Sequence, residues 1–128
     1  MKTVIDGVCI QERGILLVKK KDTWIIPGGK IEVDEEKEDC LRREFKEELP
    51  NIGISIKGFY KSFSGITPFT KKEVLVEIFF VEIIGNDISP SAEILDSKFF
   101  KKEELEPVKV SDITRDILND LEKDGYLK

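Results

Sequence analysis

The sequence predicts an α+β fold in which β-strands are wrapped by two main helices, and three segments carry this prediction. Residues 34–49 contain neither proline nor glycine, and their apolar residues recur at four-residue spacing at Leu41, Phe45 and Leu49. This pattern is typical of an amphipathic helix. Residues 74–84 are nearly all apolar, as expected of a strand through the centre of a sheet. A second amphipathic segment near the C terminus predicts the other helix.

The N-terminal part of the chain predicts three strands. Residues 4–11 and 15–19 are rich in β-branched and aliphatic side chains and are separated by Glu12-Arg13-Gly14, which indicates a β-hairpin. Residues 24–26 form a third, short strand that ends at Pro27. The Pro27-Gly28-Gly29 sequence that follows is an ordinary turn signal.

The first helix is expected to end before Pro50, because proline lacks an amide hydrogen. In residues 54–63 apolar and polar side chains partly alternate, which predicts another strand. Residues 98–100 predict a short strand, and a helical turn follows over residues 103–106.

The C-terminal helix has Ser111 or Asp112 as its N-cap and ends at Gly125. Its apolar stripe consists of Ile113, Ile117, Leu118 and Leu121. The two helices enclosing these strands make an α+β sandwich.

The composition describes one domain over residues 1–128. With 40% hydrophobic and 37% charged residues it is typical of a folded, soluble protein. The net charge of -5 argues against a general nucleic-acid binder, which needs a basic excess. The start of the chain has no apolar run suitable for export, and no segment is long and apolar enough to cross a membrane. We therefore expect a cytoplasmic protein.

Histidine is absent, which excludes Ser-His-Asp and Cys-His catalysis and every histidine-bound metal site. Two cysteines, Cys9 and Cys40, cannot build a four-thiolate zinc site, and we expect both to be reduced and buried. Catalysis must then rest on carboxylates, hydroxyls, lysines or cations bound through oxygen.

Three glutamates in the first helix are the strongest functional signal. Glu44 and Glu48 fall one turn apart on the same face, with Glu47 beside them. Like charges at this spacing repel, so a cation is expected to compensate, and Mg²⁺ or Mn²⁺ prefers such oxygen ligands. On these three residues alone, a solvated acidic face is the more common structure.

Two further features support a built site next to that face. The Arg43 guanidinium can bridge back to Glu35 at the start of the helix and fix the preceding loop. Gly28 and Gly29 would let that loop bring a backbone carbonyl close to a metal ion.

The segment PGGKIEVDEEKEDCLRREFKEELPNI resembles the Nudix box, G-x5-E-x7-R-E-U-x-E-E-x-G-U, where U is a bulky apolar residue. Seven positions fall in register: Gly29, Glu35, Arg43, Glu44, Phe45, Glu47 and Glu48. Two depart from it, because Pro50 and Asn51 replace the last glycine and apolar residue. The resemblance covers about a fifth of the chain. It implies the family's α/β/α sandwich with a mixed β-sheet.

The resemblance also implies residue roles. Glu44, Glu47 and Glu48 would bind Mg²⁺ or Mn²⁺, Gly29 would lend its carbonyl, and Glu35 would form a structural ion pair with Arg43. Family members hydrolyse a diphosphate bond with water. Glu47 is the first choice for the general base. The second is Glu93 or Asp96, for which ordinary solvation in their loop is the alternative.

Substrate and assembly stay open at this level. ADP-ribose or another nucleoside diphosphate derivative is the leading substrate, with nucleoside triphosphates next, and a non-catalytic nucleotide-sensing module is the alternative function. Many family members dimerise, so the resemblance allows a homodimer. The candidates for stacking on a base are Trp24, Tyr60, Phe63 and Phe69, although packing in the core is the more common role of such residues. The candidates for phosphate contacts are Lys19, Lys20, Lys21, Lys71 and Lys72.

Overall fold

The computed structural model describes residues 1–128, with eight strands and two long helices. The strands are β1 (Lys2–Val8), β2 (Ile10–Gln11), β3 (Gly14–Lys20), β4 (Thr23–Ile25), β5 (Gly28–Lys30), β6 (Gly53–Ile66), β7 (Glu73–Ile84) and β8 (Ile94–Phe100). The helices are α1 (Lys37–Glu48) and α2 (Asp112–Lys123), and a short 3-10 turn spans Lys102–Glu104. No helix combines the length and apolarity needed to cross a membrane.

The strands form two four-stranded sheets between the helices. The first has the order β5-β1-β7-β6, in which β1 and β7 are parallel and the other pairs antiparallel. In the second, β3 pairs with β2, β4 and β8. As predicted, β7 occupies an interior position in its sheet, and the mixed α+β sandwich is confirmed.

Two hydrophobic clusters hold the layers together. One contains α2 residues such as Ile117 and Leu121 with inward residues of both sheets, and the other contains Leu41 and Phe45 of α1. Because the strands contribute to both clusters while each helix contributes to one, the helices lie on opposite sides of the strands. The sandwich is therefore α/β/α.

The predicted N-terminal hairpin is wrong over most of its length. The chain leaves the first sheet at Cys9, so that β1 pairs with β5 and β7 while only β2 pairs with β3. The hairpin is thus reduced to the pairs Ile10↔Ile15 and Gln11↔Gly14. A strand that changes sheets is directed by distant partners, which the local pattern of β-branched residues does not reveal.

Other boundaries also differ from the sequence predictions, since β6 continues to Ile66 and β8 begins at Ile94 instead of residue 98. The first helix begins at Lys37 instead of residue 34, because Asp34 has a left-handed backbone (φ 64°) and Glu35 binds the Glu32 amide. The Gly28-Gly29 pair, predicted as part of a turn, lies in β5 and pairs with β1. Both cysteines are buried and unpaired, as expected. A single domain over residues 1–128 stays a prediction.

Candidate active site

Helix α1 brings the predicted glutamates to the edge of the first sheet. Its apolar side, including Leu41 and Phe45, is buried against the strands. This packing fixes the rotation of the helix, so that Glu44 and Glu48 face the glycine strand β5. Glu47 points away and its side chain is 53% exposed. The structure therefore brings two of the three glutamates together at the strand.

Arg43 ties the helix to the loop that precedes it. Its Nε donates to Glu35 Oε2 at 2.7 Å and its Nη2 donates to Glu35 Oε1 at 3.0 Å, which makes a two-pronged ion pair. Nη2 also donates to the Lys30 carbonyl oxygen at 3.1 Å. The guanidinium lowers the pKa of the Glu35 carboxyl to about 2. Glu35 therefore stays charged and holds the loop in place across the physiological range.

The same guanidinium contacts two of the candidate metal ligands. Arg43 Nη1 donates to Glu44 Oε1 at 2.8 Å and to Glu47 Oε1 at 3.4 Å. The longer contact to Glu47 lies on the solvent side of the helix. Arg43 thus holds Glu44, which faces the glycine strand, and makes a longer contact with the exposed Glu47.

The two glycines of β5 leave room for the carboxylates. A Cβ at Gly29 would lie 2.3 Å from Glu44 Cδ, so any larger residue would displace that carboxylate. Gly28 has a left-handed backbone (φ 148°), and its amide donates to Glu48 Oε1 at 3.2 Å. The Gly29 carbonyl accepts from the Cys40 thiol at 3.6 Å. Backbone and carboxylate oxygens therefore approach one another without intervening side chains.

Sequence reasoning missed a third acid at this point, Asp6 of β1. Asp6 is in register with Gly28, and a Cβ on that glycine would lie 2.2 Å from Asp6 Oδ1. In the sequence, Asp6 falls within the predicted strand 4–11 and carries no motif that marks it as a site residue. The signal that identifies Asp6 is the antiparallel pairing of β1 with β5, which joins distant parts of the chain.

These acids raise one another's pKa. Burial raises the pKa of the Glu48 carboxyl well above its usual range, and the charges of Asp6 and Glu44 add to the rise. The pKa of Asp6 is raised well above its usual value by burial and then by Glu44. Burial also raises the pKa of Glu44, although the hydrogen bond from Arg43 opposes the shift. A cation at this position would relieve both burial and repulsion.

A cavity of about 310 Å³ opens beside these carboxylates. Its wall includes Asp6, Glu44 and Glu48, the glycines of β5, and residues of the β6–β7 connection and of the start of α2. A larger cavity of about 870 Å³ lies near the C terminus, away from the glutamates of α1, and is lined by Arg115 and Glu122 among others. The smaller cavity is the candidate active site because the acids converge on it.

The two predicted loop acids differ in position. Glu93 lines the cavity and forms an ion pair with Lys20 at 3.1 Å. Asp96 lies in β8, outside the cavity lining, and accepts a hydrogen bond from the Ser97 amide at 2.8 Å. Of these two, only Glu93 is in position to meet a molecule in the cavity.

Among the predicted aromatic residues, Phe69 lines the cavity. Trp24 packs edge-on against Phe100 in the core, and Tyr60 stacks with Phe80 and Tyr126. Phe63 packs against the α2 cluster. Among the predicted lysines, Lys20 lines the cavity and lies 5.0 Å from the centre of the Phe69 ring.

The donor set fits a hard divalent cation by its chemistry. No three carboxylate or thiol side chains lie close enough together to hold a metal ion in their present positions. The wall nevertheless offers carboxylate and backbone oxygens, which Mg²⁺ and Mn²⁺ prefer. Glu48 is half-buried, and the only hydrogen bond to its side chain comes from the Gly28 amide.

Comparisons with known proteins agree with this architecture. An ADP-ribose pyrophosphatase of Methanocaldococcus jannaschii is 27% identical over 101 residues, which cover 75% of this chain, and this chain spans only 59% of that relative's length. A MutT NUDIX hydrolase from Burkholderia pseudomallei has a TM-score of 0.80 at 20% identity, covering 92% of this chain and 95% of the other. A MutT protein from Methanosarcina mazei has a TM-score of 0.82 at 18% identity, covering 96% and 94%. The family model described as NUDIX domain matches residues 1–121, and the chain therefore belongs to the NUDIX domain family.

Proposed function

We propose that this protein is a metal-dependent hydrolase that cleaves a diphosphate bond in a nucleoside diphosphate derivative such as ADP-ribose, or in a nucleoside triphosphate. One observation carries the proposal: Glu44 and Glu48 meet the glycine strand β5 at the wall of the 310 Å³ cavity. Membership of the NUDIX domain family supports the interpretation of this arrangement as a hydrolase site.

The residues that would hold Mg²⁺ or Mn²⁺ are Glu44 and Glu48 at the cavity wall, with Glu47 on the solvent side and the Gly29 carbonyl. The metal would supply charge neutralisation at the phosphates and would lower the pKa of the attacking water. Glu35 and Arg43 keep the loop and Glu44 in place, because the guanidinium binds both carboxylates. Their role is positioning.

The reaction is a displacement at phosphorus. A new bond forms between the water oxygen and phosphorus, the bridging P–O bond breaks, and the leaving phosphate takes its electron pair. Glu93 is our preferred acceptor for the water proton because it lines the cavity, whereas Glu47, the first choice from sequence, lies outside the cavity lining and contacts Arg43. Asp96 lies outside the cavity and is not assigned a role.

The cavity also supports a nucleotide-like substrate. Phe69 offers a ring face on which a base can stack. Lys20, which lies near that ring and pairs with Glu93, offers a positive charge for a phosphate. The curated relative described as an ADP-ribose pyrophosphatase places this compound first among the substrates to test.

The test is a panel of nucleotides incubated with purified protein and Mg²⁺ or Mn²⁺, followed by chromatographic separation of the products. We expect AMP and ribose 5-phosphate from ADP-ribose, and no turnover once the metal is chelated. Tight nucleotide binding with no product from any compound would favour the nucleotide-sensing module instead. Full activity in the presence of a chelator would overturn the metal dependence.

A further inference from the structure

Asp6 occupies a position that the sequence pattern of the family does not include. It lies in β1, whose alternate residues Val4 and Val8 pack in the α2 cluster, so Asp6 points toward the interior between the layers. There it lines the same cavity as Glu44 and Glu48. An acidic side chain on the inner face of a central strand is unusual, because inner faces normally carry apolar residues.

The three acids surround one short piece of backbone. Asp6 approaches Gly28, Glu44 approaches Gly29, and successive residues of a strand face opposite sides, so the two carboxylates lie on opposite faces of β5. Glu48 accepts from the Gly28 amide between them. Since neither glycine carries a side chain, nothing separates the carboxylates except the strand itself.

Asp6 has no compensating partner of its own. The Glu44 side chain receives a hydrogen bond from Arg43 and that of Glu48 receives one from Gly28, whereas the Asp6 side chain has no hydrogen bond or ion pair. Asp6 is half-buried at the cavity wall, and a carboxylate that is partly removed from water without a partner is costly to keep charged. Lys20, one of the lysines that line the cavity, is paired with Glu93.

We propose that Asp6 is a further carboxylate of the divalent-metal site, which binds the ion directly or through one water molecule from the inner side of β5. The inference rests on the proposed function, because it requires that Glu44 and Glu48 bind a divalent cation. It assigns to β1 a direct part in the site, which therefore spans a strand and a helix.

The test measures Mn²⁺ binding to the whole chain by electron paramagnetic resonance of the free ion, without any substrate. Asp6→Asn preserves the shape of the side chain and removes its charge, and Asp6→Ala also removes the oxygen ligands. We expect the Mn²⁺ dissociation constant to rise about tenfold or more in Asp6→Asn, and further in Asp6→Ala, by analogy with other supporting ligands.

Glu77→Gln is the matched control. Glu77 lies on the neighbouring strand β7, its side chain is only 12% exposed, and it pairs with Lys37 at 2.8 Å on the opposite face of the sheet. This variant removes another half-buried negative charge, which lies outside the cavity, and its Mn²⁺ affinity should equal that of the wild type. Thermal unfolding of each metal-free variant verifies that it is folded.

The possible outcomes distinguish a failure of the role of Asp6 from a failure of the proposed function. If the wild type binds Mn²⁺ and hydrolyses nucleotides while both Asp6 variants bind Mn²⁺ as tightly, the role of Asp6 is overturned and the proposed function stands. A uniform loss of affinity in Glu77→Gln and Asp6→Asn would also overturn it, because net charge alone would explain the effect. If the wild type itself binds no Mn²⁺, the proposed function fails first.

Discussion

The two long helices have equal length and different construction. Each spans twelve residues, but α2 buries five of them and α1 only three. The side chain of Ser111 caps α2 by accepting from the Thr114 amide, whereas Glu36 at the start of α1 provides no such bond. Helix α2 thus follows the ordinary rules for a stable amphipathic helix.

Helix α1 departs from those rules where it meets the cavity. Glu44 and Glu48 lie one turn apart against the same strand, and burial raises the pKa of both carboxyls. Repulsion between like charges at this spacing weakens an isolated helix. The difference teaches that α2 serves mainly the core, while part of the stability available to α1 is given up for the site.

The largest expected effect is on the packing helix. Leu121→Ala removes a side chain that is 0% exposed in the α2 cluster, and we expect it to lower the free energy of unfolding by about 2–5 kcal/mol. Urea denaturation measures the loss. Turnover per folded molecule should be unchanged at a temperature where the variant is folded. A parallel loss of turnover would show that α2 shapes the site as well as the core.

The converse change is in the site helix. Glu48→Gln keeps the size of the side chain but removes a charge at the cavity wall, and we expect turnover to fall about 100-fold or more, roughly 2.7 kcal/mol in the activation barrier. Steady-state kinetics with Mg²⁺ measures it. Glu38→Gln, an exposed glutamate of the same helix that pairs with Arg42, is the control. Near-normal turnover in Glu48→Gln would refute the assignment.

The same variant should change how stability depends on pH. Because the pKa of Glu48 is raised in the folded protein, the unfolded chain loses this proton first as pH rises above the usual 4.5. The contribution of Glu48 to stability is therefore full below that value and declines as pH rises toward the raised folded pKa. Without metal, Glu48→Gln should lose less stability than the wild type between about pH 5 and about pH 7. Thermal unfolding across this range measures the difference, and identical slopes would contradict it.

The sequence predicts more of the site than of the strand connections. The spacing of Glu35, Arg43 and Glu44 along one helix and its preceding loop is local information, and the structure brings these side chains into contact. Pro50 departs from the family pattern, but it lies after the end of α1 at Glu48 and does not interrupt the helix. Local periodicity was sufficient for these features because their partners are near in sequence.

What the sequence does not reveal depends on distant pairing. Asp6 joins the site only because β1 pairs with β5, and the change of sheet at Cys9 follows from the pairing of β1 with β7. In both cases a contact between distant parts of the chain decides the geometry, and single-sequence patterns contain no record of such contacts. Glu47 differs, because its contact with Arg43 lies within the same helix, and a helical wheel does not show that its side chain is mostly exposed.

The smallest expected effect compares the two helix starts. Ser111→Ala removes the side-chain cap of α2, and we expect the free energy of unfolding to fall by about 1 kcal/mol because the Thr114 amide loses its acceptor. Glu36→Ala at the start of α1 removes no capping bond, so its effect should be near zero. Urea denaturation of both variants measures the difference. Equal losses of unfolding free energy in the two variants would mean that the Glu36 charge stabilises the start of α1 through the helix dipole. The two helices would then differ only in their buried faces.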